Sequence, residues 1–299
     1  VTNSGDSKSR KVIRKLIKQN PEAIIAVMGC YAQVDPESIK AIEGVDILIG
    51  TKHREQLLAR VEEFRRTRKS IEDVTDVSRY RVFDETHVTN FTENTRAFLK
   101  IQDGCNHFCS YCIIPYARGP VRSRPQDSIL EEAKHLIENG YHEIVLTGIH
   151  TGGYGQDFEE YSFYQLLKDL SQLDGIKRLR ISSIEINELT EEIIQLLREN
   201  SLFARHLHIP LQSGSESVLK AMRRKYTKSK FEAKIKMIRD YIPNIAITTD
   251  VIVGFPGETD EDFEEMAQFI DQLSFSELHV FPYSKRNGTI AAEMKNQIN

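Results

Sequence analysis

The chain has 299 residues, the length of two average domains or one large barrel. It is 40% hydrophobic and 28% charged, and 40 Lys plus Arg against 44 Asp plus Glu leave a net charge of −4, which excludes a polycation and confines any nucleic-acid contact to local patches. The longest apolar run, residues 23–32, is interrupted by Gly29 and falls short of the roughly 20 residues that cross a bilayer, so a membrane-spanning helix is excluded.

In chain order, Asp6 or Ser7 is expected to cap a basic helix reaching about Lys18, with Val12, Ile13, Leu16 and Ile17 as its apolar stripe. Asn20-Pro21 breaks it. Ile24 to Met28 reads as a buried β-branched strand that delivers Gly29 and Cys30 at its C-terminal end. Pro36 to Ile42 reads as a helix, Val45 to Ile49 as a strand and Arg54 to Arg68 as a charged helix, an alternation typical of a parallel sheet. Residues 69–95 show no sustained period and read as a linker.

From Phe98 the pattern becomes regular. Strands are expected at Phe98–Gln102, Glu143–Thr147, Arg178–Ser182, His206–Pro210, Ala246–Val253 and Glu277–Phe281. Helices are expected between them, near 128–139, 162–173, 190–199, 215–224, 228–241 and 260–272, the last opened by Thr259 with Asp262 as its acidic capping partner. Six β/α units in series predict a parallel barrel two units short of eight, with the active site at the C-terminal ends of the strands. The expected organisation is a partial α/β domain at 1–70, a linker at 71–95 and the barrel at 96–299.

Three of the four cysteines, Cys105, Cys109 and Cys112, lie within eight residues directly after the first barrel strand. A disulfide framework spreads its cysteines, whereas a tight triplet reads as a metal site in a reducing compartment, with the cytoplasm as the default address. Three thiolates can hold three irons of a 4Fe–4S cluster and leave one open. The alternative is structural zinc with His107 as fourth ligand, although no second pair of ligands follows at zinc-knuckle spacing. His206 and His208 alternate on one strand and read as satisfied core histidines.

The C-x3-C-x-aromatic-C loop after the first strand resembles the radical S-adenosylmethionine (SAM) superfamily. Gly29-Cys30-Tyr31-Ala32-Gln33, Ile113-Ile114-Pro115-Tyr116-Ala117-Arg118-Gly119 and Leu207-His208-Ile209-Pro210-Leu211-Gln212-Ser213-Gly214 narrow the resemblance to the methylthiotransferases. Thr147-Gly148-Ile149-His150, Ser182-Ser183-Ile184-Glu185 and His279-Val280-Phe281-Pro282-Tyr283-Ser284 are most similar to the threonylcarbamoyladenosine tRNA methylthiotransferases. The fold so implied is a partial (β/α)6 radical SAM barrel preceded by a truncated α/β methylthiotransferase domain. Family members carry three N-terminal cysteines for an auxiliary 4Fe–4S cluster; Cys30 matches the third, and the chain is expected to be the core of a longer protein.

The resemblance implies that Cys105, Cys109 and Cys112 hold a 4Fe–4S cluster whose open iron binds SAM. A 5′-deoxyadenosyl radical would then abstract hydrogen from C2 of the modified adenosine beside the anticodon, with sulfur supplied through the auxiliary cluster. It places Tyr111 and Gly254 near the adenine of SAM, Thr147 and Gly148 near its amine, and Ser183 and Glu185 near its ribose. Gln212, Ser213 and Arg224 fall toward its polar tail. The implied partners are a tRNA anticodon stem-loop and an electron donor such as flavodoxin or ferredoxin, acting on a monomer. Arg118, Arg122 and Arg124, just after the cluster loop, are the expected phosphate contacts, beside the basic sets at 10–18 and 65–69. Competing readings are a methylthiotransferase for isopentenyl-adenosine tRNA or a ribosomal protein side chain, and a zinc-stabilised RNA-binding protein.

Overall fold

The computed structural model describes residues 2–85 and 95–298. They fall into two compact units that interleave along the chain, one from the described parts of 1–84, 106–120 and 284–292, the other from those of 85–105, 121–283 and 293–299. Among the described residues no helix is long and apolar enough to cross a membrane.

The first unit opens with α1 (Asn3–Gln19), capped by Thr2, whose hydroxyl accepts from the Gly5 N–H at 3.1 Å. The expected cap, Asp6, is instead buried in the first turn and paired with Arg286. The expected apolar stripe is narrower than drawn: Ile13 is buried, while Val12 and Leu16 are 54% and 45% exposed. Ile17 packs on Gly44, whose φ of 91° and lack of a side chain make room for it.

Three short strands, β1 (Ala26–Met28), β2 (Ile47–Ile49) and β3 (Ile71–Asp73), form a parallel sheet in the order β1-β2-β3. Only the central β2 is buried throughout; β1 lies at the edge with Ala26 and Met28 exposed, which corrects the expectation of a buried strand. Helices α2 (Cys30–Val34), α3 (Pro36–Lys40) and α4 (Leu57–Thr67) complete the alternation. Ala32 and Ile39 pack on Leu48, and Phe64 packs on Ile47 and Ile49, so successive residues of β2 serve two small cores. β3 falls inside the stretch read as a linker, because Ile71 is its one apolar residue and Glu72 and Asp73 are charged; residues 86–94 of that stretch lie outside the described residues. Also in this unit is α5 (Ile114–Arg118), where the Thr51 hydroxyl donates to the Ala117 carbonyl at 2.6 Å.

The second unit contains β4 (Ala97–Lys100), β5 (Gln102–Asp103), β6 (Arg122–Ser123), β7 (Glu143–Thr147), β8 (Arg178–Ile181), β9 (His206–His208), β10 (Ala246–Val253) and β11 (Glu277–Pro282). Its helices are α6 (Gln126–Glu138), α7 (Phe163–Leu170), α8 (Glu191–Glu199), α9 (Glu216–Ala221), α10 (Lys228–Tyr241) and α11 (Asp260–Leu273). Parallel pairing runs β4-β7-β8 and β9-β10-β11, and the bridges Leu179↔Phe203 and Ser183↔His208 join the two runs. Six parallel strands in sequence order, alternating with helices, make the partial barrel that the sequence predicts. The expected first strand divides at Ile101: β4 ends at Lys100, and Gln102 turns to pair antiparallel with Ser123.

Alternation sorts the side chains of each barrel strand. Leu179, Leu207, Ile247 and Val251 join the buried core with Phe231, Ile235 and Ile238 of α10 and Met266 and Phe269 of α11. The intervening residues (Arg180, His206, His208, Thr248, Asp250) face away from that core and form a polar inner surface. The Thr259–Asp262 capping box opens α11 as expected.

Candidate functional site

β5 delivers the cysteine loop. Cys105, Cys109 and Cys112 are half-buried and in no disulfide, and the Cys112 N–H donates to the Cys109 carbonyl at 3.0 Å, closing a turn. Phe108 adopts a left-handed φ of 48° and meets the ring of Tyr116 edge to face at 5.8 Å. Tyr111 is half-buried in the same loop, and the Ser110 carbonyl accepts from the Ala291 N–H at 2.8 Å. Three thiols outside any disulfide in one short loop are the donor type an iron–sulfur cluster takes, and the residues present fit that group.

Gln102 organises the approach to this loop and carries no sequence signal of its own. Buried completely, it donates from Nε2 to the carbonyls of Asp103 and Gly104 at 2.7 Å each and accepts the His150 N–H at 2.8 Å. Gly148 follows from that placement, since a Cβ there would lie 2.9 Å from Gln102 Oε1 and 3.3 Å from the Thr151 Cα. Thr147 ends β7, where its hydroxyl donates to the Leu99 carbonyl at 3.3 Å. His150 Nε2 pairs with Glu188, and the side-chain-free backbone of Gly152 and Gly153 leaves room for both partners.

The residues expected around SAM follow strands β8, β9 and β10. Ser183 is exposed just beyond β8. Glu185 and Arg224, expected on different SAM groups, meet each other in an ion pair; Arg224 also donates from Nε to the Tyr226 hydroxyl at 3.1 Å and sits over that ring. Gln212 holds a left-handed φ of 67° and exchanges backbone bonds with β10, from its N–H to Asp250 and from the Ile252 N–H to its carbonyl, both 2.8 Å. Ser213 is buried and its hydroxyl accepts the Ser215 N–H at 3.2 Å. Gly254, at φ 73°, has no atom within 4 Å of where a Cβ would stand, so its backbone faces open space. Glu258 accepts from the N–H groups of Gly254 and Phe255 at 2.5 and 3.1 Å, and burial pushes its carboxyl above the ordinary carboxylate range.

The three arginines expected to meet phosphate are placed otherwise. Arg122 and Arg124 are only 3% and 1% exposed. Arg122 lies 3.7 Å from Asp103, and Arg124 pairs with Glu132 at 2.7 Å and donates to the Ser128 hydroxyl at 3.0 Å. Two guanidinium groups committed to carboxylates inside the fold offer no surface to RNA, which corrects the sequence expectation. Arg118 is half-buried and its Nε donates to the Cys30 sulfur at 3.0 Å. Cys30 itself is free and half-buried at the start of α2, after Gly29 at φ 110°. Lys11, Arg14, Lys15 and Lys18 of α1 are exposed, as are Arg65, Arg66, Arg68 and Lys69.

On its inner surface the barrel unit opens a cleft of about 460 Å³ bordered by Ser183, His206, His208, Thr248, Asp250 and His279. The register places Thr248 beside His208 and Asp250 beside His279. His206 Nε2 and His208 Nδ1 lie 3.1 and 2.9 Å from the Thr248 hydroxyl, and His208 Nε2 reaches Asp250 Oδ2 at 3.1 Å. These histidines, read from the sequence as core residues, therefore line a polar cleft. Strand alternation could have signalled it, since His206, His208, Asp250 and His279 all occupy the face opposite the apolar positions.

Comparison with known proteins adds the family. Residues 99–270 match the radical SAM superfamily and residues 1–50 the uncharacterized protein family UPF0004. The threonylcarbamoyladenosine tRNA methylthiotransferase MtaB of Bacillus subtilis (strain 168) is 53% identical over 299 residues, all of this chain and 66% of the relative. The protein of that name from Aquifex aeolicus is 39% identical over 298 residues, covering 100% of this chain and 72% of its own length. A tRNA-2-methylthio-N(6)-dimethylallyladenosine synthase from Clostridium tetani is 39% identical over 290 residues, 96% of this chain and 64% of the relative. The chain thus spans about two thirds of the length of the curated relatives it matches. Among solved structures, the cobalamin-dependent SAM radical enzyme OxsB superposes with a TM-score of 0.62 at 12% identity over 97% of this chain and 44% of its own. The radical SAM methyltransferase TsrM from Kitasatospora setae gives 0.55 at 19% identity over 66% and 38%; both likenesses concern the fold.

Proposed function

The chain belongs to the radical SAM superfamily and, within it, to the tRNA methylthiotransferases named MtaB, and from that premise we propose that the protein adds a methylthio group to C2 of N6-threonylcarbamoyladenosine next to the anticodon of tRNA. One observation carries this reading: a three-cysteine loop that directly follows the first barrel strands in the chain, in a protein 53% identical to one of that named activity.

Its cofactors are a 4Fe–4S cluster and SAM. When bound, they supply the one-electron chemistry that activates the C2–H bond of the base. Cys105, Cys109 and Cys112 would hold the cluster through their thiolates. Gln102 fixes the loop entrance through the Gly104 carbonyl, so the first cysteine is oriented from a rigid strand. Gly254 offers bare backbone to the adenine, while Tyr111, Thr147, Gly148, Ser183, Gln212 and Ser213 border the same chemistry at the strand ends. Glu185 and Arg224 contribute as a pair, in which Glu185 neutralises and positions the guanidinium. Cys30 is the ligand proposed for the auxiliary cluster, held in the first unit after the edge strand β1. Arg118 and the exposed cations of α1 and α4 are the basic groups left for RNA. The working setting is the cytoplasm, with a monomeric enzyme reduced by a flavodoxin or ferredoxin.

Nucleoside mass spectrometry of tRNA incubated with the reconstituted holoenzyme, SAM and dithionite tests this. The expected product is the 2-methylthio derivative of threonylcarbamoyladenosine. Methylthiolation of dimethylallyladenosine in its place, or of a protein alone, overturns the substrate assignment.

A further inference from the structure

We propose that the inner cleft of the barrel is the pocket for the threonylcarbamoyl substituent of the target adenosine, with His279 donating to its carboxylate and Asp250 accepting from its hydroxyl. This deepens the reading above and rests on it.

The relatives divide between two substituents on the same adenine nitrogen, one threonylcarbamoyl and one dimethylallyl. The first carries a carboxylate, a hydroxyl and a urea-type carbonyl with its N–H. The second is five carbons with no polar atom. A pocket for the second would be lined by apolar side chains, because an unpaired polar group left against hydrocarbon costs on the order of 1–3 kcal/mol. The cleft has the opposite character. Of the side chains bordering it only Phe281 is apolar, and its volume of about 460 Å³ lies within the range of small-ligand sites.

Within the cleft the hydrogen bonds run in one direction. With both imidazoles neutral, one arrangement satisfies all three contacts: His206 Nε2–H donating to the Thr248 hydroxyl, that hydroxyl donating to His208 Nδ1, and His208 Nε2–H donating to Asp250 Oδ2. Burial lowers the proton affinity of His206, in keeping with a neutral imidazole at the head of this chain. The chain fixes the tautomers of both histidines and uses one oxygen of Asp250, leaving the other as an acceptor. His279 stands beside Asp250 in the register, is exposed, and touches His208 only through ring contact at 5.8 Å. One imidazole donor, His279, and two carboxylate acceptors, Asp250 and Glu277, on adjacent strands thus remain for a ligand that brings an anionic group to the first and hydroxyl and N–H groups to the others. The substituent that fits is threonylcarbamoyl.

The test measures affinity, separately from turnover. The anaerobic holoenzyme is titrated with three fluorescent anticodon stem-loops that differ only at the target adenosine: unmodified, threonylcarbamoylated and dimethylallylated. The parent is expected to bind the threonylcarbamoylated loop tightest. His279→Phe, which preserves ring volume, should weaken that loop about tenfold and leave the unmodified loop unchanged, as expected for one lost hydrogen bond to a charged group. His279→Gln should restore part of the loss, and iron content with circular dichroism confirms that each variant is folded. An Asp250→Ala variant should likewise lose the preference. If the parent prefers threonylcarbamoyl and the variants keep that preference, the pocket is elsewhere and the substrate reading stands. If the parent prefers dimethylallyl, the substrate reading itself falls. Uptake of one cobalt(II) ion by the parent and not by the His279 variants overturns the proposal in favour of a metal site.

Discussion

Removing any one of Cys105, Cys109 or Cys112 deprives a three-thiolate set of a ligand that no neighbouring cysteine in the loop can replace. Each Cys→Ala variant is expected to lose the iron of that cluster after anaerobic reconstitution, read as acid-labile sulfide and iron per chain; retention of the parent's iron in any of the three would sink the ligand assignment. Arg124 makes the complementary case, a charged residue whose role is structural. Its guanidinium and the carboxylate of Glu132 are both buried and 2.7 Å apart. Arg124→Ala should therefore cost about 3 kcal/mol or more by leaving Glu132 without its cation. Chemical denaturation measures this, and the salt dependence of RNA binding should not change. A variant as stable as the parent but with a flatter salt slope would return Arg124 to the RNA surface. Sequence reports the sign of such a residue and says nothing of its burial, which is why the arginines after the cluster loop read as a basic patch.

At the scale of elements, the barrel was legible because its helices show a period or a cap and most of its strands are apolar runs set between them. All six expected strands form, and the Thr259 box opens α11 as expected. What escaped was short or non-local: the three-residue β3, the break between β4 and β5, and the Thr2 cap that displaced Asp6 once Asp6 found Arg286 across the sequence. For the site, the tight spacing of the cysteines marked a metal-type loop, and the resemblance chose an iron–sulfur cluster over zinc. Gln102, by contrast, is a lone polar residue whose partners are backbone groups near and far in sequence. Gly214 shows how packing between elements enters a motif that reads as functional. A Cβ there would lie 2.8 Å from the Met266 Cα and 3.1 Å from its carbonyl oxygen, so the turn after β9 rests directly on the backbone of α11. Backbone cannot step aside as a side-chain tip can. Gly214→Ala should destabilise the barrel unit by about 1–3 kcal/mol, measured by urea unfolding. An unchanged midpoint would show that α11 tolerates the shift.

For the molecule as a whole, the polar groups carried within the fold make stability depend on pH in two stages. His206 is held below the ordinary imidazole value, chiefly by burial, with Arg180 and His208 adding to the effect and Glu277 opposing it. The unfolded chain therefore takes up a proton near pH 6.5 (about the ordinary value) that the folded protein refuses, and stability falls as pH drops below that point until the folded pKa is passed. Further down, Glu143 and Asp262 follow the carboxylate rule. Burial pushes both upward, but hydrogen bonds from Arg180 and Arg178 to Glu143, and from Ser215 and Ser217 to Asp262, bring them net below the ordinary range. Their contribution is complete above the ordinary carboxylate value of about 4 and is lost as pH falls through the folded one. Glu258 works in the other direction: burial raises its pKa, so the folded state gains a proton before the unfolded state and recovers some stability on mild acidification. The first decline, as pH falls through the ordinary imidazole value of about 6.5, is thus set by His206, with Glu258 opposing it above the ordinary carboxylate range. His206→Gln should remove the destabilising side of that balance, so that the melting temperature stays level or rises as pH drops from 7 to 5.5, while the later acid loss is unchanged. Differential scanning calorimetry across that range decides it: a His206→Gln protein that loses stability with the parent's slope would place the responsible proton on another group.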